Sequence, residues 1–213
     1  MKQLMFASMN EAKINELKKY LPECQILSLL DFADSEDVDE TGLSYRENAF
    51  LKANAFYQKH KFPVVADDSG IEAHYLFGTK YGSDMAVPGI YSARYASNHD
   101  VNLNNQELLK QLENTPFDLN DLTSCVTRSC HYVSALCYID ENGKEHYFEG
   151  ELFGVFGDKA KGTNGWAYDL FFHPILDGKV SKKTYAELED SVRNEISHRA
   201  IALNKLKDFI DNH

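Results

Sequence analysis

The sequence runs to 213 residues, 43% hydrophobic and 26% charged, with 22 basic against 33 acidic side chains and a net charge of −11. That is material for one large domain, or one domain with two lobes over 1–213, and it is too rich in apolar and aromatic residues to be disordered. The negative charge argues against a nucleic-acid partner, since no run of Lys or Arg supplies a basic patch; the N-terminal apolar stretch is too short for a signal peptide and no later run could span a membrane.

In chain order, Gln3 to Ala7 reads as a buried strand, and Glu11 to Tyr20, with Ile14 and Leu17 among charges, as a one-sided helix stopped by Pro22. Ile26 to Leu30 is the next strand. The acidic stretch Asp31 to Glu40 is a loop. Ser44 and Glu47 form a capping box that opens a helix to about His60. Pro63 to Ala66 is a short strand ending at Asp67-Asp68-Ser69-Gly70, and Gly78 to Pro88 is a surface loop. Leu103 to Leu112 is helical, and Asn114 to Thr123 is a linker. Tyr132 to Ile139 and His146 to Val155 form a hairpin about Glu141-Asn142-Gly143-Lys144. Gly157 to Gly165 is a loop. A second capping box, Thr184 and Glu187, opens a helical stretch in which Leu188, Val192, Ile196, Ala200 and Leu203 recur at helical spacing. Helices and strands alternate throughout, so the fold class is α/β. The cysteines, Cys24, Cys125, Cys130 and Cys137, make no Cys-x-x-Cys pair, which fits reduced thiols in a cytoplasmic protein. Cys130 and His131 lack the second spaced pair a zinc site needs.

Four clusters could carry chemistry. Ser8-Met9-Asn10-Glu11-Ala12-Lys13 joins a strand to a helix, where backbone amides and the helix dipole attract anions; Asn10 could cap the helix or donate to a phosphate, and Lys13 could reach the same anion. Asp67-Asp68-Ser69-Gly70 places two carboxylates side by side, which is costly without a cation. Mg2+ is the natural partner, and one carboxylate could deprotonate a water. Glu40-Thr41-Gly42, with Glu47, Asn48 and Lys52 beyond, offers a second metal ligand in Glu40 and a phosphate contact in Lys52. The fourth combines Gly165-Trp166-Ala167-Tyr168-Asp169 with Arg193, Ser197, His198 and Arg199; Trp166 could stack on a nucleobase, and Ser197 could cap a helix beginning at His198. Taken singly, each has a plainer reading: an N-cap, an Asp-Ser-Gly turn, solvated charges, a core tryptophan.

Together and in this order, the clusters resemble the inosine triphosphate pyrophosphatase family from Phe6 to Leu206. The most specific pieces are Glu40-Thr41-Gly42 with Glu47-Asn48-Ala49, Ala66-Asp67-Asp68-Ser69-Gly70-Ile71, Pro88-Gly89-Ile90-Tyr91-Ser92-Ala93-Arg94-Tyr95, and Ile196-Ser197-His198-Arg199. The resemblance implies an elongated, two-lobed α/β fold around a long curved mixed sheet, with the nucleotide in the cleft between lobes. It also implies a homodimer and Mg2+-dependent hydrolysis of inosine- or xanthosine-type triphosphates (ITP, dITP, XTP) to monophosphate and pyrophosphate. By motif, Ser8, Asn10 and Lys13 would hold the triphosphate, Glu40 and Asp68 the Mg2+, and Asp68 would act as general base with Ser69 on a phosphate. Trp166, with Ala167 and Tyr168 beside it, would stack on the base; Asp169, Arg193, His198 and Arg199 would read it. The sequence differs from the usual pattern at Ser8-Met9, Ala12, Trp166-Ala167, Leu170 and Arg193, and its 78–87 loop is longer. Two other readings keep the fold: a related pyrophosphatase with another base preference, and a nucleotide sensor that does not turn over.

Overall fold

The computed structural model describes residues 2–35, 38–77, 86–121, 123, 125–165 and 167–213. The α/β class is borne out. Eight strands form a mixed sheet: β1 (Lys2–Phe6), β2 (Cys24–Ser28), β3 (Val64–Phe77), β4 (Ala86–Pro88), β5 (Ser129–Ile139), β6 (Glu145–Phe156), β7 (Phe172–Leu176) and β8 (Lys179–Val180). Their order is β2-β1-β3-β5-β6-β7-β8, with β4 on β3. The helices are α1 (Glu11–Tyr20), α2 (Tyr45–His60), α3 (Val101–Leu112), α4 (Asp190–Ile196) and α5 (His198–Asp211). No helix of the described residues is long and apolar enough to cross a membrane.

The chain divides into two compact units. The first comprises Met1–Asp68, Ser134–Gly150 and Arg199–His213. Its strands β1, β2 and β3 are parallel, and alternation along β1 and β3 sends neighbours to opposite cores, while edge strand β2 buries Ile26. Leu4, Phe6, Val65, Leu136 and Tyr138 pack with Ile14 and Leu17 of α1 and with Leu203 and Leu206 of α5. Met5, Val64, Ala66, Cys137 and Ile139 pack with Ala49, Ala53 and Phe56 of α2. The turn between β5 and β6 is held by Asp140, whose Oδ1 accepts the amides of Asn142 and Lys144, each at 2.9 Å.

The second unit comprises Ser69–Val133 and Glu151–His198. Its sheet buries one face: Ile71, Ala73, Cys130, Tyr132, Leu152, Phe156 and Phe172 pack against Leu108 and Leu112 of α3. Buried Arg128 serves the carbonyls at the end of α3, donating to Leu112 O at 2.8 Å and Thr115 O at 3.2 Å while also reaching Phe156 O and Gly157 O.

Three expectations are corrected. The second strand is Cys24–Ser28, since Leu29–Phe32 coil into a 3-10 turn capped by Ser28 and Asp31. The strand through Val64 does not stop at Asp67; it runs 14 residues to Phe77 because Ile71 and Ala73 continue the alternation into the core. Nor is the C-terminal stretch one helix. The Thr184–Glu187 capping box forms, but it opens only the turn Tyr185–Glu187; extended Leu188 separates that turn from α4, and extended Ser197 separates α4 from α5. Residues 78–85 of the expected loop lie outside the described residues, and β4 supplies its end.

Candidate active site

The first unit gathers one charged cluster. Asp67 and Asp68 sit mid-strand in β3, 3% and 8% exposed. Lys13, in the first turn of α1, reaches Asp67 Oδ2 at 2.8 Å, and Arg199 Nη2, at the start of α5, lies 3.6 Å from the same oxygen. Arg199 Nε lies 3.3 Å from Glu16 Oε2. Burial alone would raise the Asp67 pKa, but Lys13, Arg199 and Lys52 outweigh it and hold the carboxyl well below its ordinary range.

Asp68 goes the other way. Burial, reinforced by Glu40 and Asp67 and opposed by Lys52 and Asn48, pushes its pKa up to about 6. Two neighbouring acids thus hold different protonation equilibria, the arrangement that lets one act as a base near neutral pH while the other remains an anchor. Lys52 Nζ lies 2.6 Å from Glu40 Oε1 and 3.9 Å from Asp68 Oδ1. Burial disfavours its charge, yet Asp68, Asp67 and Glu40 prevail and keep the ammonium protonated.

Local sequence explains the positions. Ser44 caps α2 by accepting from the Glu47 amide at 3.1 Å, while Glu47 Oε2 takes the Leu43 amide at 2.6 Å. One turn in, Asn48 is fully buried; it donates to Asp68 Oδ2 at 3.1 Å and accepts the Gly42 amide at 2.8 Å. A Cβ on Gly42 would lie 2.7 Å from both Asn48 Oδ1 and Glu47 Cβ, so only glycine lets the Glu40 loop close on α2. At α1, Asn10 is the N-cap, accepting the amides of Ala12 at 3.0 Å and Lys13 at 3.3 Å, and Ser8 Oγ accepts the Asn10 amide at 3.1 Å. Met9, Glu11 and Ala12 are exposed around this helix start.

The second unit holds a separate polar cluster. Asp169 accepts the Tyr132 hydroxyl at 2.8 Å, and Arg193 Nη2 lies 3.9 Å from its other oxygen. Burial, then Asp169, raises the Tyr132 pKa well above normal, so the phenol stays a donor. His198 stacks on Tyr132 with centroids 4.8 Å apart. The Arg193 guanidinium lies over the Tyr185 ring, and its buried Nε has no hydrogen-bond partner among the described residues. Gly165 (φ 94°) lies so close to Asp169 that a Cβ would come within 2.5 Å of Oδ2.

The clusters therefore divide the candidate residues. Ser8, Asn10, Lys13, Glu40, Lys52, Asp68 and Arg199 lie in the first unit; Asp169, Arg193 and His198 lie in the second, and Ser69 is the next residue of β3 after Asp68. Arg199 keeps company with Lys13 and Asp67, not with Asp169. Tyr168 turns into the core and donates to Ser92 O at 2.9 Å, while Ala167 O accepts from Asn105. Trp166 lies outside the described residues. Sequence reasoning gave no role to Asn48, Glu16 or Tyr132, and none to Asp67 beyond its place in the pair of adjacent carboxylates. Only Asn48 and Asp67 carried a signal, as polar residues inside the Glu-Asn-Ala and Asp-Asp-Ser-Gly motifs.

Glu40 and Asp68 suit a hard divalent cation. They are oxygen donors, and the ammonium of Lys52 lodged against both shows that the pair draws positive charge. Among the described residues no group of three His, Cys, Asp or Glu is gathered for a metal. Mg2+ in general takes one or two carboxylates and completes its shell with water and phosphate oxygens.

Fold and site define an α/β protein with a lysine-framed acidic centre beside a helix N-terminus. The profile of the Ham1 family matches residues 4–209, and the chain belongs to that family. It is 37% identical to a dITP/XTP pyrophosphatase of Clostridium perfringens over 98% of this chain and 97% of that protein, and 35% identical to one of Bacillus licheniformis over 99% of each. The solved structure of the Staphylococcus aureus Ham1 protein superposes with a TM-score of 0.82 at 32% identity, covering 99% of both chains. The resemblance drawn from the four motifs is thereby borne out.

Proposed function

We propose that this chain hydrolyses non-standard purine nucleoside triphosphates, namely ITP, dITP and XTP, to the monophosphate and pyrophosphate with Mg2+, acting as a cytoplasmic homodimer. The observation that carries this reading is the divergence of Asp67 and Asp68, one held ionised and one with a pKa of about 6. Its relatives' shared name, dITP/XTP pyrophosphatase, supports the substrate class.

Mg2+ held by Glu40 and Asp68 would supply charge neutralisation for the phosphates. Lys13 and the N-terminus of α1 offer positive charge to the triphosphate, and the Asn10 amide nitrogen keeps a donor for phosphate while its oxygen caps the helix. Asp68 takes the proton of a water as its oxygen bonds to the α-phosphorus. The bond from that phosphorus to the bridging oxygen breaks, and pyrophosphate leaves. Asn48 aims the Asp68 carboxylate by its hydrogen bond.

Base choice follows from donor polarity. Arg199 and Arg193 have donors only and suit a 6-keto oxygen, whereas adenine presents an amino group there. Trp166 is assigned to stacking on the base. The test is pyrophosphate release from ITP, dITP, XTP, GTP, ATP, dTTP and CTP, with and without Mg2+. Metal-dependent release from ITP and XTP, with ATP nearly inert, supports the reading. Preference for dTTP would overturn the base assignment, and binding without release from any nucleotide would favour a sensor.

A further inference from the structure

The buried face of the second unit's sheet leaves an opposite face on which alternation places Glu72 and His74 of β3, His131 of β5, and Glu151 and Phe153 of β6. On it, His74 Nε2 and His131 Nδ1 lie 2.7 Å apart, their rings tilted at 52°. His131 stacks on Phe153 with centroids 5.1 Å apart, and Phe153 is 47% exposed. None of these residues belongs to either cluster of the candidate active site.

We propose that His74 and His131 bind a borderline divalent transition-metal ion of the Zn2+ or Ni2+ type, with Glu151 and water completing the shell. Imidazole nitrogens are the donors such ions prefer, whereas Mg2+ prefers oxygen. This separates the site chemically from Glu40 and Asp68. Two nitrogens already face one another from neighbouring strands. Spanning a tetrahedral ion at Zn–N distances of about 2.0–2.1 Å requires them to part to roughly 3.3 Å, a small side-chain rotation.

The remaining groups complete the argument. Glu72 Oε2 lies 3.8 Å from the far nitrogen of His131, Nε2, on the side where a carboxylate orients a metal-bound imidazole. One proton is shared between His74 Nε2 and His131 Nδ1. When the ion takes both nitrogens, that proton moves to the outer nitrogen of its own ring and no net proton is released. Among the described residues no three donors are pre-gathered, so the third must swing in. Glu151 is exposed on the same face as the two imidazoles and is the donor assigned to that place. Cys130, the neighbour that would suggest a Cys-His pair, points into the core and is fully buried, so it is excluded as a ligand.

The experiment is calorimetric titration of the full chain with Zn2+ in saturating Mg2+. One Zn2+ per chain is expected, weakened more than about 100-fold in His74→Gln and in His131→Gln, and about 10-fold in Glu72→Gln. Pyrophosphate release with Mg2+ alone should be unchanged in His74→Gln. Equal Zn2+ binding by the unaltered chain and both histidine variants would overturn the site. Should neither variant fold, Co2+ bound to the unaltered chain decides: an intense visible band of a four- or five-coordinate nitrogen-ligated ion supports it, and the weak spectrum of solvated Co2+ overturns it.

Discussion

Asn48 and Asp68 are joined by a 3.1 Å hydrogen bond in which a wholly buried amide points one carboxylate oxygen of the centre. The same amide fixes the Gly42 backbone, so one side chain sets both the proposed base and the loop that carries Glu40. Asn48→Ala should lower kcat about 100-fold, since a displacement near 1 Å has that effect on a reacting group. It should also cost about 2–3 kcal/mol of stability through the unpaired partners, measured by denaturant unfolding.

Asp68→Asn should abolish pyrophosphate release, with a loss of at least about 100-fold, while making the protein more stable. The sign follows from the raised pKa of about 6. Between the unfolded value of about 4 and the folded one, the native state binds more protons, so stability falls as pH rises and the full cost is present above pH 6. Removing the charge should return on the order of 1–3 kcal/mol at pH 8 and little below pH 4. A variant less stable than the parent at pH 8 would contradict this account of Asp68.

Lys52→Met should shift the acid limb of the pH–rate profile upward. Lys52 is the main cation lowering the Asp68 pKa, and without it the carboxylate gains its charge only at pH above about 6. The shift is read from kcat against pH at saturating Mg2+.

Gly42→Ala introduces a methyl carbon 2.7 Å from Asn48 Oδ1 and Glu47 Cβ. A cost of about 1–3 kcal/mol is expected from the forced displacement, together with reduced turnover and weaker Mg2+ activation, because the displaced loop carries Glu40. Mg2+ activation curves and thermal unfolding separate the two effects.

Tyr132→Phe removes the donor to Asp169 and keeps the ring on which His198 stacks. KM for ITP should rise about fivefold, the worth of one hydrogen bond near 1 kcal/mol, with kcat little changed. A fall in kcat at constant KM would place Tyr132 outside base recognition.

The sequence disclosed most where chemistry and periodicity coincide. Asn10, Ser44 and the hairpin at Gly143 declared themselves by local hydrogen-bonding rules that hold whatever surrounds them. Asp67 and Asp68 looked like the end of a strand because two acids and a glycine are usual turn residues. Only their tertiary partners Lys13, Lys52, Asn48 and Arg199, distant in sequence, make their burial within a strand tolerable. The Leu188–Leu203 series looked like one helix because apolar spacing does not reveal which core each residue serves. Leu188, Val192 and Ile196 pack in the second unit and Leu203 in the first, and the chain breaks at Ser197 between them. Asp169 and Arg193 were grouped by motif, but the Tyr132–Asp169 contact left no trace, since nothing in the spacing of 132 and 169 announces that they meet.

Finally, β3 carries Val64 and Val65 into two cores of one unit, then Asp67 and Asp68, then Ile71 and Ala73 into the core of the other, all on one uninterrupted alternation. The apolar positions can accept a substitution of suitable size, but none of the stretch can accept an added or deleted residue. A single insertion between Ala66 and Ile71 would turn every later side chain to the opposite face, exposing Ile71 and Ala73 and burying Glu72 and His74. The length of this stretch is therefore as constrained as its two acids.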